Sequence, residues 1–208
     1  MGRTSDARER LLHAALDLIW TRTYDAVGVE AICQAAEVKK GSFYHFFASK
    51  EDLAAQALEG HWEHSLSAMR RIFAAEKDPL ERLFDYFDQV RRFNVERRAG
   101  GGCICGCPYL HVGAEMVQGS ERITRTVHRI LAGHFAFFRQ AISDARDAGR
   151  IDSGADVELL ARAVFALFEG TLVLARVHND LAYLDDLISG TKRILGVTAE
   201  GMGLPGRR

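Results

Sequence analysis

Hydrophobic positions recur at helical spacing along almost the whole chain, and nowhere do they alternate as in a β-strand. Leu12, Ala15, Leu16, Ile19 and Trp20 share one face of a first helix that starts at about Asp6 and ends by Tyr24-Asp25. Two short helices follow. The first, Glu30 to Ala36, carries Ile32, Ala35 and Ala36; after a turn at Glu37-Val38 the second begins near Lys39 and holds Ser42, Phe43, Tyr44, His45 and Phe46. Ser49 with Asp52 three residues on reads as a capping box for a long helix to about Glu76, with Leu53, Ala57, Leu58, Trp62, Leu66, Met69 and Phe73 inward.

Asp78-Pro79 with Glu81 restarts the chain as a helix, combining a cap, a first-turn proline and an early acid. Leu80, Leu83, Phe84, Phe87 and Val90 keep the period up to about Arg98, and Ala99-Gly100-Gly101-Gly102 then breaks it. Pro108 to Val117 predicts a short helix. Glu121 to Ala148 predicts a long one with Ile123, Val127, Ile130, Leu131, Phe135, Phe138 and Ile142 on one side, stopped by Gly149. Further helices are expected over Asp156–Val177 and over about Leu181–Leu195, the last closed by Gly196. The fold class is therefore all-α, with about nine helices.

A short helix rich in Lys, Ser, Tyr and His, locked at a fixed angle to a partner helix, suits the DNA major groove. Lys39 and Lys40 stand where phosphate is reachable, with Gly41 beside them, and Ser42 and Phe43 where base edges or thymine methyls are. Tyr44 and His45 offer donors to the DNA backbone. Lys50 is a further phosphate clamp, and Thr4 with Arg3 lies within reach of phosphate ahead of the first helix. Phe46, Phe47 and Cys33 read as core.

The run VEAICQAAEVKKGSFYHFFASKEDL, preceded by HAALDLIWTRTYDAVG, resembles the DNA-binding domain of the TetR family of transcriptional regulators. Gly41, Tyr44, Phe47, Ser49, Lys50, Glu51 and Leu53 match that family's pattern. Gly28 stands where the family usually has a Thr or Ser cap, Glu37 where it usually has Gly, and Lys39 where Ser is common. A Glu in a turn that often takes positive φ costs about 1 kcal/mol. The resemblance implies a three-helix DNA-binding domain over residues 1–49 and an effector-binding and dimerisation bundle over 50–196, with 197–208 a loose tail. It also implies a homodimer on double-stranded operator DNA, released by a small-molecule effector.

Charge alone does not point to DNA. The 208 residues carry a formal charge of −1, and residues 1–50 hold seven Lys/Arg against six Asp/Glu. So small a field makes one copy a weak reader, which a two-fold dimer would offset. Leu159, Leu160, Ala163, Val164, Phe165, Leu167, Phe168, Leu172, Val173 and Leu174 nearly encircle the Asp156–Val177 helix, leaving Glu158, Arg162, Glu169 and Arg176 as a narrow polar stripe. Such a helix is buried on two faces. One face serves its own core; Leu160, Val164, Leu167 and Leu174, with Leu184 and Ile188 of the last helix, are expected at a dimer interface.

The segment GGGCICGCPYLHVGAEM has a second possible chemistry. Cys107, His111 and Glu115 fall at four-residue steps on one helix face, beside Cys103 and Cys105 on a loop. They suit either thiol reactivity or a soft metal such as Zn or Cu(I), although the spacing matches no standard zinc pattern. The plain expectation is no cofactor and no metal, with small buried thiols. By composition, Trp62, Leu66, Phe84, Phe87, Cys107, His111, Phe135, Phe138 and Phe168 are candidates to line an effector pocket. With no orienting acid or oxyanion hole, a Cys107–His111 enzyme is not expected. No apolar run approaches the ~20 residues that span a bilayer, and the expected location is the cytoplasm.

Overall fold

The caps read from the sequence set most of the helix boundaries. A computed structural model describes residues 2–100, 102–116 and 119–197, with side chains from residue 6 onward. Among these residues there are helices and no strand: α1 (Gly2–Thr21), α2 (Val29–Ala35), α3 (Lys40–Phe46), α4 (Lys50–Ile72), α5 (Pro79–Ala99), α6 (Pro108–Met116), α7 (Glu121–Asp147), α8 (Val157–His178), α9 (Ala182–Asp185) and α10 (Leu187–Ile194). Two expectations change. α1 starts at Gly2, ahead of Asp6. The last helix is split at Asp186, which ends the single-turn α9 and opens α10.

The caps have direct causes. Ser49 Oγ accepts from Asp52 N–H at 3.1 Å, and the Asp52 carboxylate accepts from Ala48 N–H at 3.0 Å, so both side chains of the expected capping box engage. Asp78 accepts from the N–H groups of Leu80 and Glu81 ahead of Pro79. Asp156 accepts from Leu159 N–H at 3.0 Å, and Ser120 from Ile123 N–H at 3.1 Å. Gly149 and Gly196, both at φ +68, close α7 and α10.

The chain divides into two compact units. The first comprises Met1–Ser67 with Cys107–Ala132, the second Ala68–Gly106 with Gly133–Arg208, so α4 and α7 contribute residues to both. In the first unit α1 packs on α2, α3 and α6 over Leu11, Ala15, Ile19, Ile32, Phe43, Phe47 and Leu53. The turn between α2 and α3 ends α2 with a left-handed residue: Val38 N–H reaches back to Cys33 O at 2.9 Å and Glu37 N–H to Gln34 O at 3.1 Å. Glu37 takes φ 54, the conformation glycine adopts without penalty. Gly28, ahead of α2, supplies no side-chain cap.

In the second unit α8 packs on α9 and α10, and α5 on α9 and α10. Arg82, 4 % exposed, fans its guanidinium over the loop before α5. It donates to Ala75 O (2.8 Å) and Lys77 O (2.9 and 3.1 Å) and pairs with Asp144 on α7. At the centre His134 on α7 lies edge-to-face with Tyr86, Phe138, Phe165 and Phe168, at centroid distances of 5.3 to 5.6 Å. Phe87 stacks on Phe168 at 5.6 Å. Glu169, expected on the polar stripe of α8, is buried instead, with Oε1 3.9 Å from His134 Nδ1. Burial pushes the imidazole down from 6.5 to about 3, so the ring is neutral at pH 7.

Glu37→Gly relieves the left-handed strain and raises unfolding free energy by about 1 kcal/mol, read as a higher urea midpoint at constant slope. His134 gives a pH signature. Between about 3 and 6.5 the unfolded chain binds a proton that the folded ring refuses, so its stabilising share is full above pH 6.5 and drains away on acidification. Urea melts from pH 7 to 4 should therefore lose stability faster in the parent than in His134→Phe, by at most about 1.4 kcal/mol per pH unit. Parallel pH profiles would refute that role.

Candidate nucleic-acid interface

α3 has seven residues, enough for two turns, and it must bury one side to stay docked. Phe43 is that anchor: fully buried, with Phe47 at 5.8 Å and Tyr44 edge-on at 5.0 Å. This corrects the expectation that Phe43 reaches base edges, since its ring points into the core. Lys39, Lys40, Gly41, Ser42, Tyr44 and His45 are all exposed. Tyr44 is 57 % exposed, with its ring free to meet a partner on the outer side of α3. Lys40 Nζ lies 2.7 Å from Glu30 on α2; that hydrogen bond holds the Glu30 carboxyl below its ordinary range and Lys40 above its own. An added Cβ at Gly41 would meet nothing within 4 Å, so the protein itself does not require glycine there.

Lys50 is turned inward rather than held out as a phosphate clamp. Half-buried, it donates to Tyr24 O at 3.0 Å and sits 3.9 Å from the centre of the Tyr24 ring. α6 meets the same stretch. Tyr24 N–H donates to Glu115 Oε2 at 2.7 Å, and His111 Nε2 lies 2.8 Å from Arg22 O and 3.2 Å from Glu115 Oε1. His111 and Glu115, grouped by their spacing with Cys107, thus tie α6 to the exit of α1. The side chain of Thr4 and the stretch 198–208 of the expected tail lie outside the described residues, as does the side chain of Arg3.

The cysteine segment straddles the unit boundary at Gly106-Cys107. In the second unit Ile104 N–H donates to Asn179 Oδ1 at 3.3 Å and Arg176 donates to Cys105 O at 2.9 Å, fastening the segment to the end of α8. Gly106 takes φ +69, a conformation L side chains rarely adopt, although a Cβ there would make only ordinary contact, 3.5 Å from Leu172 O and Arg176 Cδ. Cys103 is exposed, whereas Cys105 is buried and its thiol is pushed up by that burial. In the first unit the buried Cys107 Sγ accepts from Leu110 N–H at 3.5 Å, in the opening turn of α6. Among the described residues no three His, Cys, Asp or Glu side chains are grouped to hold a metal ion.

The candidate pocket residues are shared between the two units. Trp62, Leu66, Cys107 and His111 belong to the first unit, and Phe84, Phe87, Phe135, Phe138 and Phe168 to the second. There Phe87, Phe138 and Phe168 meet in the aromatic core, Phe135 touches it through Phe165 at 5.6 Å, and Phe84 lies apart beneath Lys192. An open cleft of about 270 Å³ in this unit is lined by Phe73, Arg82, Ala136, Phe137, Gln140 and Ala141, none of them among the candidates. Of the expected dimer contacts, Val164 and Leu184 are buried in their own chain, Leu160, Leu167 and Ile188 are partly exposed, and Leu174 is exposed. Leu159, Val173 and Val177 join Leu174 as exposed apolar side chains on α8; of these only Val177 carried no apolar signal in the spacing. No described helix is long and apolar enough to cross a membrane.

Comparison with known proteins agrees with this geometry. Residues 11–57 match the family described as bacterial regulatory proteins, tetR family, and residues 79–190 match the tetracyclin repressor-like C-terminal domain. The chain is 26 % identical over 195 residues to the HTH-type transcriptional repressor NemR of Escherichia coli K12, covering 93 % of this chain and 96 % of NemR. It is 28 % identical to the repressor DhaR of a Mycobacterium species, over 91 % of each chain. The crystal structure of the reduced form of E. coli NemR superposes with a TM-score of 0.79, over 93 % of this chain and 99 % of that one. A regulatory protein TetR from Rhodobacter sphaeroides, 26 % identical, gives 0.80 over 90 % and 98 %. The chain belongs to the TetR family: it is a helix-turn-helix transcriptional regulator of a family of ligand-responsive repressors, and not an enzyme.

Proposed function

We propose that the chain represses transcription by setting α3 in the major groove of an operator, and that a small-molecule effector bound within residues 50–196 releases it. The observation that carries this reading is the two-sided α3, with Phe43 fully buried while Lys39, Lys40, Ser42, Tyr44 and His45 all face outward. Residues 1–49 are assigned to DNA, with Lys39 and Lys40 on phosphate and Ser42, Tyr44 and His45 at base edges or backbone. Gly41 leaves the helix slim where the DNA backbone comes close. Lys50 serves here by holding Tyr24.

Two copies act together. Leu159, Val173, Leu174 and Val177 leave an apolar stripe on α8 that a second copy of the chain would cover, with Leu160, Leu167 and Ile188 at its margin. Release runs through α6: an effector that shifts it pulls on Arg22 and Tyr24 through His111 and Glu115, and so on the entry to α2. The effector must favour one arrangement over the other for this to switch anything. The site of action is the cytoplasm, where operator DNA is.

A thiol switch is the second reading, favoured by the exposure of Cys103 in a segment fastened to α8 and by the reduced form in which NemR has been described.

Mobility-shift titrations over a range of salt test the first reading. Lys39→Ala should weaken binding to operator and random DNA alike and lower the slope of log affinity against log salt by about one; an unchanged slope removes Lys39 from the interface. For the second reading, peroxide should release the parent from operator and leave Cys103→Ser bound. Equal release of both would exclude Cys103 as the switch.

A further inference from the structure

From the start of α2 at Val29 to the end of α3 at Phe46 the chain carries two lysines, Lys39 and Lys40, and two glutamates, Glu30 and Glu37, so this stretch has no net formal charge. Lys40 and Glu30 are joined: Lys40 Nζ lies 2.7 Å from Glu30 Oε1, and both side chains are largely exposed. The contact crosses from the first turn of α2 to the first residue of α3. The hydrogen bond draws the Glu30 carboxyl down and Lys40 up, so both are charged at pH 7.

A carboxylate in this place works against DNA. Lys40 and Glu30 lie well inside the screening length of about 8 Å at physiological salt, so a phosphate that approaches one of them meets both. On DNA of the wrong sequence nothing fixes that phosphate, and the pair offers it no net charge. A seated operator differs. The ammonium has three N–H donors and Glu30 takes one. A phosphate held at one place by the base contacts proposed for Ser42, Tyr44 and His45 can accept another, so that Lys40 bridges carboxylate and phosphate.

We propose that Glu30 is a specificity-determining residue for DNA: by holding Lys40 against α2 it removes one phosphate contact from non-specific binding and leaves that contact available on a seated operator. Glu30 acts through Lys40, as a positioning residue, without itself touching DNA. The proposal rests on the reading of α3 as the DNA-reading helix.

Two probes are titrated with the full-length chain, a duplex of random sequence and an operator that the parent itself selects from a random-sequence pool. On the random duplex Glu30→Gln should bind about fivefold tighter near about 0.1 M salt, and the slope of log affinity against log salt should steepen by about one. Glu37→Gln alters net charge equally but frees no lysine, so its slope should stay at the parent's. Adding Lys40→Ala to Glu30→Gln should restore the parent's slope. On the selected operator Glu30→Gln should gain less than about twofold, so the preference for operator over random DNA falls. Glu30→Ala, with the stronger helix former, should repeat the gain, which a loosened α2 would reverse. An unchanged slope or weaker binding in both Glu30 variants, equal steepening in Glu37→Gln, a gain that survives Lys40→Ala, or equal gains on the two probes would each overturn the proposal. A parent that binds neither probe defeats the repressor reading and the proposal together, whereas those other outcomes leave the repressor reading standing.

Discussion

The exit of α1 is held from outside the helix-turn-helix. Over Arg22 to Tyr24 the backbone leaves its helix, and side chains answer the polar groups it exposes: His111 at Arg22 O, Glu115 at Tyr24 N–H, Lys50 at Tyr24 O. Bonds to charged partners such as Glu115 and Lys50 are about twice as strong as neutral ones. Through them α6 and the start of α4 set where α2 begins, and α2 sets α3. α6 is itself closely seated, since a Cβ at Gly113 would lie 2.8 Å from Val127 Cγ1 on α7. α6 therefore cannot tilt toward α7 without a clash, and any movement away from α7 is felt at Arg22 and Tyr24.

That dependence follows from how little α2 and α3 hold on their own. Each has seven residues, well short of the length at which a helix is stable alone in water. α2 starts at an uncapped Gly28, and Glu37 joins it to α3 in a conformation that suits glycine. What keeps them in place is packing: Val27, Ile32, Phe43 and Phe47 are fully or almost fully buried. Phe43 cannot be both this anchor and a reader of bases, and the core claims it.

Local signals made the helices legible. Asp78-Pro79, Asp156, Ser49 with Asp52, Gly149 and Gly196 act through neighbours within a turn or so, and a sequence displays those neighbours side by side. Partners far apart in the chain were not legible. Glu169 looks like a surface residue by type, and only the fold brings it to His134, thirty-five positions earlier on another helix. Composition says which rings exist but not which ones meet, and only the fold sets Phe138 and Phe168 edge-on to His134.

α8 divides its surface three ways. Ala161, Val164, Phe168, Leu172 and Ala175 close the core of their own unit. Glu169 faces His134, while Arg176 and Asn179 grip the segment from Ile104 to Cys105. Leu159, Val173, Leu174 and Val177 look outward. The outward stripe costs solubility unless something covers it, and the near-neutral DNA-binding part gains most from being doubled. The second copy of the chain proposed above would answer both demands. The cysteine segment is fastened to the very helix that presents the stripe, through Arg176 and the capping Asn179.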